Sequence, residues 1–268
     1  MNLEVLHRTP QGSFLFPYPL LFIHGSYAAA WCWDEHFLPY FASHGFDSYA
    51  VSLRGHGCSE GRELLKKTRL KDLLDDVRQV AEQLPGKPVL LGHSLGGGIV
   101  ENYLAAYPEA CTAGVLVAPA PYEGVFLSAL EMIKNDPGPL LRAVRYWDLK
   151  ILSHAVTRAH MMANVAPEKR AAYLARLEAD EAVRAIADLE FKRVAPSKIK
   201  TPMLLLGGGN DQMVLDWQIR KVGQVFGLPP HFFPGMGHEM MLEPGWQNVA
   251  DTIITWLRDL YPNEFPSS

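Results

Sequence analysis

Ser94, Asp211 and His238 are the residues of this chain whose types and order could turn a hydroxyl into a nucleophile. A serine hydroxyl is weakly reactive at neutral pH. It needs a base to take its proton, and the base needs a partner that fixes its orientation and balances the charge it gains. Ser94 sits at the centre of Gly92-His93-Ser94-Leu95-Gly96, the Gly-x-Ser-x-Gly spacing of a nucleophile carried on a sharp strand-to-helix turn. Glycines two positions to either side suit such a turn, because larger side chains would collide with the packed strand and helix. Asp211 follows Gly207-Gly208-Gly209-Asn210, and His238 follows Gly235-Met236-Gly237. The order Ser, Asp, His along the chain is the one expected for this constellation on an open α/β sheet. The chemistry it predicts is acyl transfer, with Ser94 as nucleophile, His238 as general base and Asp211 holding the histidine. Each residue taken singly would also suit a structural role: a Gly-Ser loop opening a helix, a turn aspartate, a packed histidine. The agreement of all three in order and context favours the catalytic reading.

Those residues need elements to hold them. Short apolar runs, Leu20–Ile23, Tyr49–Val51, Val89–Leu91, Val115–Val117 and Met203–Leu206, are separated by helical patterns. Runs of this kind read as strands buried on both faces of a parallel sheet. Helical spacing links Leu70, Leu73, Leu74, Val77 and Leu84, then stops at Pro85-Gly86. It recurs in Ile99, Val100, Tyr103, Leu104 and Tyr107 before Pro108, and in Val249, Ile253, Trp256, Leu257 and Leu260 near the end. The alternation predicts an α/β fold, a mostly parallel sheet flanked by helices. His231-Phe232-Phe233 is a further short strand candidate ahead of His238. Between about Pro121 and Ser197 the strand rhythm stops. We expect a helical cap over 121–197, inserted into a core of 1–120 and 198–268, above the strand ends where open sheets bind ligands. Phe126, Leu127, Leu130, Met132, Ile133, Trp147, Met161 and Met162 supply apolar material to that segment.

Composition narrows the function classes. The 268 residues carry a formal charge of −4, with 48% hydrophobic and 20% charged residues. Without clusters of Lys and Arg there is no electrostatic footprint for nucleic acid. No apolar run reaches the roughly 20 residues of a membrane span, and the start Met1-Asn2-Leu3-Glu4-Val5 has no secretory pattern, so a cytoplasmic location is expected. Cys32, Cys58 and Cys111 are far apart and odd in number, which reads as reduced thiols. Gly96-Gly97-Gly98 and Gly207-Gly208-Gly209 lack nucleotide-loop spacing, and the histidines include no zinc-type pair at helical spacing with a carboxylate. Neither a cofactor nor a metal is expected, and the partner is a small-molecule ester. The oligomeric state is not legible.

His24-Gly25 after the first run, Arg54-Gly55-His56-Gly57-Cys58-Ser59 after the second, the Ser94 motif, Gly207 to Asp211, and Gly237-His238 together resemble the α/β-hydrolase superfamily across nearly the whole chain. Arg-Gly-His-Gly followed by Ser-Glu-Gly resembles the monoacylglycerol lipase and lysophospholipase branch, whereas Trp31-Cys32-Trp33 is similar to plant-type methylesterases and hydroxynitrile lyases. The resemblance implies an oxyanion hole made by the backbone N–H groups of Ser26 and Leu95, with Tyr27 as the alternative to Ser26. It implies carboxylic-ester hydrolysis through an acyl-enzyme. A lyase or carbon–carbon bond hydrolase using the same triad, or a ligand receptor on the same scaffold, are the competing readings. Hydroxynitrile lyases of similar appearance carry lysine after the histidine, where this chain has Glu239. Where many relatives carry aspartate this chain has Ser52, a departure expected to affect loop packing. Glu123 is a second position for the acid, and Arg54, His56 and His93 are read as structural.

Overall fold

The computed structural model describes residues 1–124, 134, 138, 160–162 and 164–265. Seven strands form one sheet: β1 (Val5–Arg8), β2 (Leu20–Ile23), β3 (Ser48–Val51), β4 (Val89–His93), β5 (Ala113–Val117), β6 (Met203–Gly208) and β7 (Pro230–Phe233), in the order β1-β3-β2-β4-β5-β6-β7. Every pairing is parallel except β1 with β3, where Val5 faces Val51 and Arg8 faces Ser48. The central strands β2, β4 and β5 are buried at every position, which is why they read as unbroken apolar runs rather than as alternating ones.

Alternate residues of one strand serve opposite layers, as the two-residue period of a strand requires. Leu20 and Phe22 join Trp33, Phe37, Phe41 and Phe46 in one core. Leu21 and Ile23 join Leu73, Val77, Ile99 and Leu104 in the other. The first layer is closed by helices α1 (Trp31–Asp34) and α2 (Phe37–Ser43) and by the last long helix. The second is closed by α3 (Leu70–Ala81) and α4 (Leu95–Ala106). α3 ends one turn earlier than the apolar spacing predicts. Leu84 still packs against that core, from the turn after the helix.

The strand order decides where a ligand can sit. From β2 the chain moves outward to β3, then returns across the sheet to β4 and continues the other way. The loops after β2 and β4 therefore diverge and leave a crevice at their carboxyl ends, the usual binding place in open α/β sheets. His24-Gly25-Ser26 leaves β2 there, and Ser94 leaves β4.

Between β5 and β6 the described residues contain no strand, and α5 (Pro167–Arg176) and α6 (Val183–Phe191) lie in this stretch. Met161 and Met162 are buried in the first core. Phe126, Leu127, Leu130, Met132, Ile133 and Trp147 lie outside the described residues. After β6 come α7 (Asp216–Phe226) and, past β7, α8 (Trp246–Leu260). α8 buries Val249, Ile253 and Leu257 completely, one residue per turn on a single stripe. Among the described residues no helix is long and apolar enough to cross a membrane.

Candidate active site

The turn at the end of β4 holds Ser94 at φ 51° and ψ −116°, a left-handed conformation that costs a non-glycine residue roughly 1–3 kcal/mol. The surroundings over-determine it. Ser94 N–H donates to the Val117 carbonyl of β5 over 3.1 Å, and the Ser94 carbonyl accepts from Gly98 N–H and Ala120 N–H at 3.2 and 2.8 Å. The flanking glycines are demanded by close approach: a Cβ on Gly92 would overlap the Gly96 carbonyl, and one on Gly96 would overlap the Ile23 carbonyl of β2. The side chain of Ser94 is half-buried.

Asp211 lies just past β6, and its two oxygens have separate tasks. Oδ1 accepts Met213 N–H and Val214 N–H at 2.7 and 2.9 Å, closing a turn that fixes the carboxylate. Oδ2 lies 2.8 Å from Nδ1 of His238, so Nδ1 carries the proton and Nε2 is left to act as a base. Burial disfavours charge on His238, but the Asp211 carboxylate outweighs it and raises the imidazole above its ordinary value. Glu123, the second position considered for the acid, does not hold the histidine: Asp211 does. Ser94 Oγ and His238 are not hydrogen-bonded to each other in this structure. A single χ1 rotation is the freedom available to the hydroxyl, and catalytic hydrogen bonds often tighten only once substrate is bound.

His93 does more than its place in the strand predicts. Neighbours along a strand point to opposite faces, so His93 turns away from the Ser94 hydroxyl, but the face it meets is the back of the histidine loop. Its Nε2 donates to the His238 carbonyl at 2.9 Å. Burial, then the nearby His238, hold it well below the usual histidine range, so it is neutral. Glu239, next in sequence to His238, is also buried, and burial pushes its carboxyl up to about 7. Among the described residues, the ligating atoms of His93, His238 and Glu239 form a group within 4.8 Å that could hold a metal ion. Nδ1 of His238 and Nε2 of His93 are committed to Asp211 and to the His238 carbonyl. A metal there would compete for the nitrogen that a base needs.

The two backbone donors expected beside Ser94 are held through their own peptide planes. A planar trans peptide points its C=O and N–H in opposite directions, so anchoring one aims the other. The Ser94 carbonyl, anchored as above, aims Leu95 N–H. The Gly25 carbonyl accepts from Nδ1 of His24 at 2.8 Å and from Ala28 N–H at 3.3 Å, which aims Ser26 N–H. His24 serves this role as a neutral ring: burial, then His56, lower it to about 3, and its Nε2 accepts Leu53 N–H at 3.0 Å. Of the two residues considered for the second donor, Tyr27 has its N–H committed to Glu181 Oε2 at 2.6 Å.

The Arg54-Gly55-His56-Gly57 turn is tied down by charge. Arg54 grips buried Asp76 of α3 through Nε and Nη2, the latter at 2.6 Å. Ser52 Oγ accepts Ala30 N–H at 2.9 Å and donates to Glu4, so this departure from the common aspartate knits loops together. Cys32, Cys58 and Cys111 are free thiols.

Known proteins share this arrangement of elements. Residues 20–252 match the model of the Alpha/beta hydrolase family. The chain is 31% identical over 243 residues to a monoacylglycerol lipase of Mycolicibacterium smegmatis, covering 83% of this chain and 82% of that one. It is 34% identical over 123 residues to a non-heme chloroperoxidase of Streptomyces lividans, 45% of this chain and 41% of that one. Among solved structures, a Paleococcus ferrophilus monoacylglycerol lipase superposes with a TM-score of 0.71 at 21% identity, over 96% of this chain and 98% of that one. The Exiguobacterium antarcticum esterase EaEST gives 0.73 at 17% identity, over 96% and 95%. At those identities the structures speak for the fold; the family model and the lipase speak for descent. With its seven-stranded sheet, its strand-to-helix turn at Ser94 and a family match across most of its length, this chain belongs to the alpha/beta hydrolase family.

Proposed function

We propose that the protein is a serine hydrolase that cleaves carboxylic esters in two steps through an acyl-enzyme. The observation that carries the reading is the hydrogen bond from His238 Nδ1 to Asp211 Oδ2 at the mouth of the sheet that also presents Ser94 in its strained turn. In the first step His238 Nε2 takes the Ser94 proton as Oγ attacks the ester carbonyl, and the negative charge passes to the carbonyl oxygen. Ser26 N–H and Leu95 N–H receive that charge, a contribution of about 3–4 kcal/mol per donor in comparable sites. The imidazolium, balanced by Asp211, then gives its proton to the departing alcohol. Water repeats the sequence on the acyl-enzyme: His238 takes a water proton, hydroxide attacks, and Ser94 leaves with the proton returned.

The substrate we propose has an apolar acyl or alcohol group. The similarity to a monoacylglycerol lipase supports this. In this reading 121–197 is a cap that shapes the pocket, and the free thiols suit a cytoplasmic protein. The test is a chain-length series of p-nitrophenyl esters together with monoacylglycerols and the matching thioesters. Turnover that rises with an apolar acyl chain and disappears in Ser94→Ala supports the reading. Absence of turnover on every apolar ester contradicts it.

A further inference from the structure

A second pocket abuts the nucleophile turn without containing its hydroxyl. It runs between α4, the loop after β5 and the chain that leaves α6, with Gly98, Glu101, Ala120, Pro121, Leu189 and Arg193 among its walls. Ser94, His238 and the two expected backbone donors do not line it. Gly98 and Ala120 are the residues whose N–H groups hold the Ser94 carbonyl. The pocket has a volume of about 280 Å³, counted out to the solvent it opens on, and its closed end admits only a small head group.

Two of its side chains have polar groups to spare. Glu101 is 5% exposed, and its Oε1 has no hydrogen-bond partner. Burial raises its carboxyl with nothing to offset the effect, so at neutral pH the group keeps its proton and offers an O–H donor. Arg193 donates Nη1 to the Leu189 carbonyl at 2.8 Å and Nη2 to the Glu123 carbonyl. Both acceptors are neutral. Among the described residues no carboxylate lies within ion-pair reach of this guanidinium, and its remaining N–H groups are left over. Lys192, next to it, differs in being paired with Asp188 at 3.0 Å. Glu101 and Arg193 are not bonded to each other, which leaves room between them for a group with acceptors on two sides.

A carboxylate has that form. One oxygen can take a charge-assisted hydrogen bond from Arg193, and the other can accept the Glu101 proton. A phosphate would bring more charge and more acceptors than one guanidinium and one carboxyl proton satisfy. Pro121, Leu189 and Val194, in the same walls, suit a hydrocarbon tail. We propose that this pocket binds a small carboxylate with a short hydrocarbon tail, its head group held between Arg193 and the Glu101 carboxyl. Ester hydrolysis releases acids of this class, but the inference stands on the pocket and not on that reaction.

The test is titration calorimetry with sodium butyrate, on protein whose Ser94 has been phosphonylated by a fluorophosphonate so that the catalytic crevice is blocked. Saturable binding in the roughly millimolar range is expected. Arg193→Gln, which removes the charge, and Glu101→Leu, which removes the donor, are each expected to weaken it roughly 10-fold. Glu101→Gln, whose amide still donates, is expected to bind near wild type. Should Glu101→Leu not fold, Arg193→Gln decides alone, since its side chain is exposed. No saturable binding by wild type, equal binding of neutral butyramide or of inorganic phosphate, or unchanged affinity in Arg193→Gln would overturn the inference. If the fluorophosphonate leaves Ser94 unlabelled, the hydrolase reading fails instead, and the same titration on unmodified protein still decides the pocket.

Discussion

His93 Nε2 donates to the backbone carbonyl of His238 over 2.9 Å, and their rings lie with centroids 4.6 Å apart, so the residue before the candidate nucleophile supports the loop of the candidate base. The nucleophile turn and the histidine loop come from elements far apart in sequence. This contact sets the distance between them. His93→Ala removes one of two donors to the buried His238 carbonyl, which keeps Met240 N–H at 3.0 Å, a loss of about 0.5–1.5 kcal/mol, and opens space beside His238. The expected outcome is a melting temperature several degrees lower together with a drop in kcat that KM does not share, read by steady-state kinetics and thermal unfolding.

The pH dependence follows from Asp211. A general base must be neutral to accept a proton, so kcat/KM is expected to fall as pH drops through the raised value of His238. Asp211→Asn removes the charge that raises it. The acid limb then moves to lower pH, and kcat falls roughly 1,000- to 10,000-fold because the ring loses its preferred tautomer. A pH–rate profile whose acid limb stays in place in the variant would detach Asp211 from the base.

Glu101, on α4, is buried, and burial pushes its carboxyl up to about 8. A carboxyl whose folded value lies above its unfolded value binds protons more tightly when folded. Its contribution to stability is present at low pH and is lost as pH rises from about 4.5 towards about 8. Glu101→Gln, neutral at every pH, is expected to melt near wild type at pH 4.5 and about 2–6 °C higher above pH 8. Melting curves across that range check the sign.

Arg54 and Asp76 join the loop after β3 to α3 through a side chain that is 1% exposed. Asp76→Ala leaves the guanidinium with Asp72 at 3.8 Å in place of its bidentate partner and is expected to cost roughly 3 kcal/mol, measured by denaturant unfolding. Activity per folded molecule should change little.

Much of this was readable from residue order. The buried strands announced themselves because parallel strands covered on both faces have no polar alternation to blur the signal, and Ser94 was marked by glycines that close packing at Gly92 and Gly96 enforces. β1 escaped, since an edge strand of four half-buried or exposed residues has neither a continuous apolar run nor a strong alternation. His93 reads as structural and its hydrogen bond agrees; its direction relative to Ser94 is legible, but its meeting with a loop 145 residues away is not. Glu181 lies in no motif, and its hydrogen bond to Tyr27 N–H, 154 positions away, has no signal in residue order. Glu239 could have been noticed as a carboxyl adjoining His238, though its burial could not.

The account stands most directly on the reactivity of one hydroxyl. Intact protein treated with a fluorophosphonate probe, digested and mapped by mass spectrometry, should carry a single phosphonyl group on the peptide containing Ser94, and Ser94→Ala should lose both the label and ester turnover by at least roughly 1,000-fold. Labelling at another residue, or Ser94→Ala retaining wild-type turnover, would contradict it.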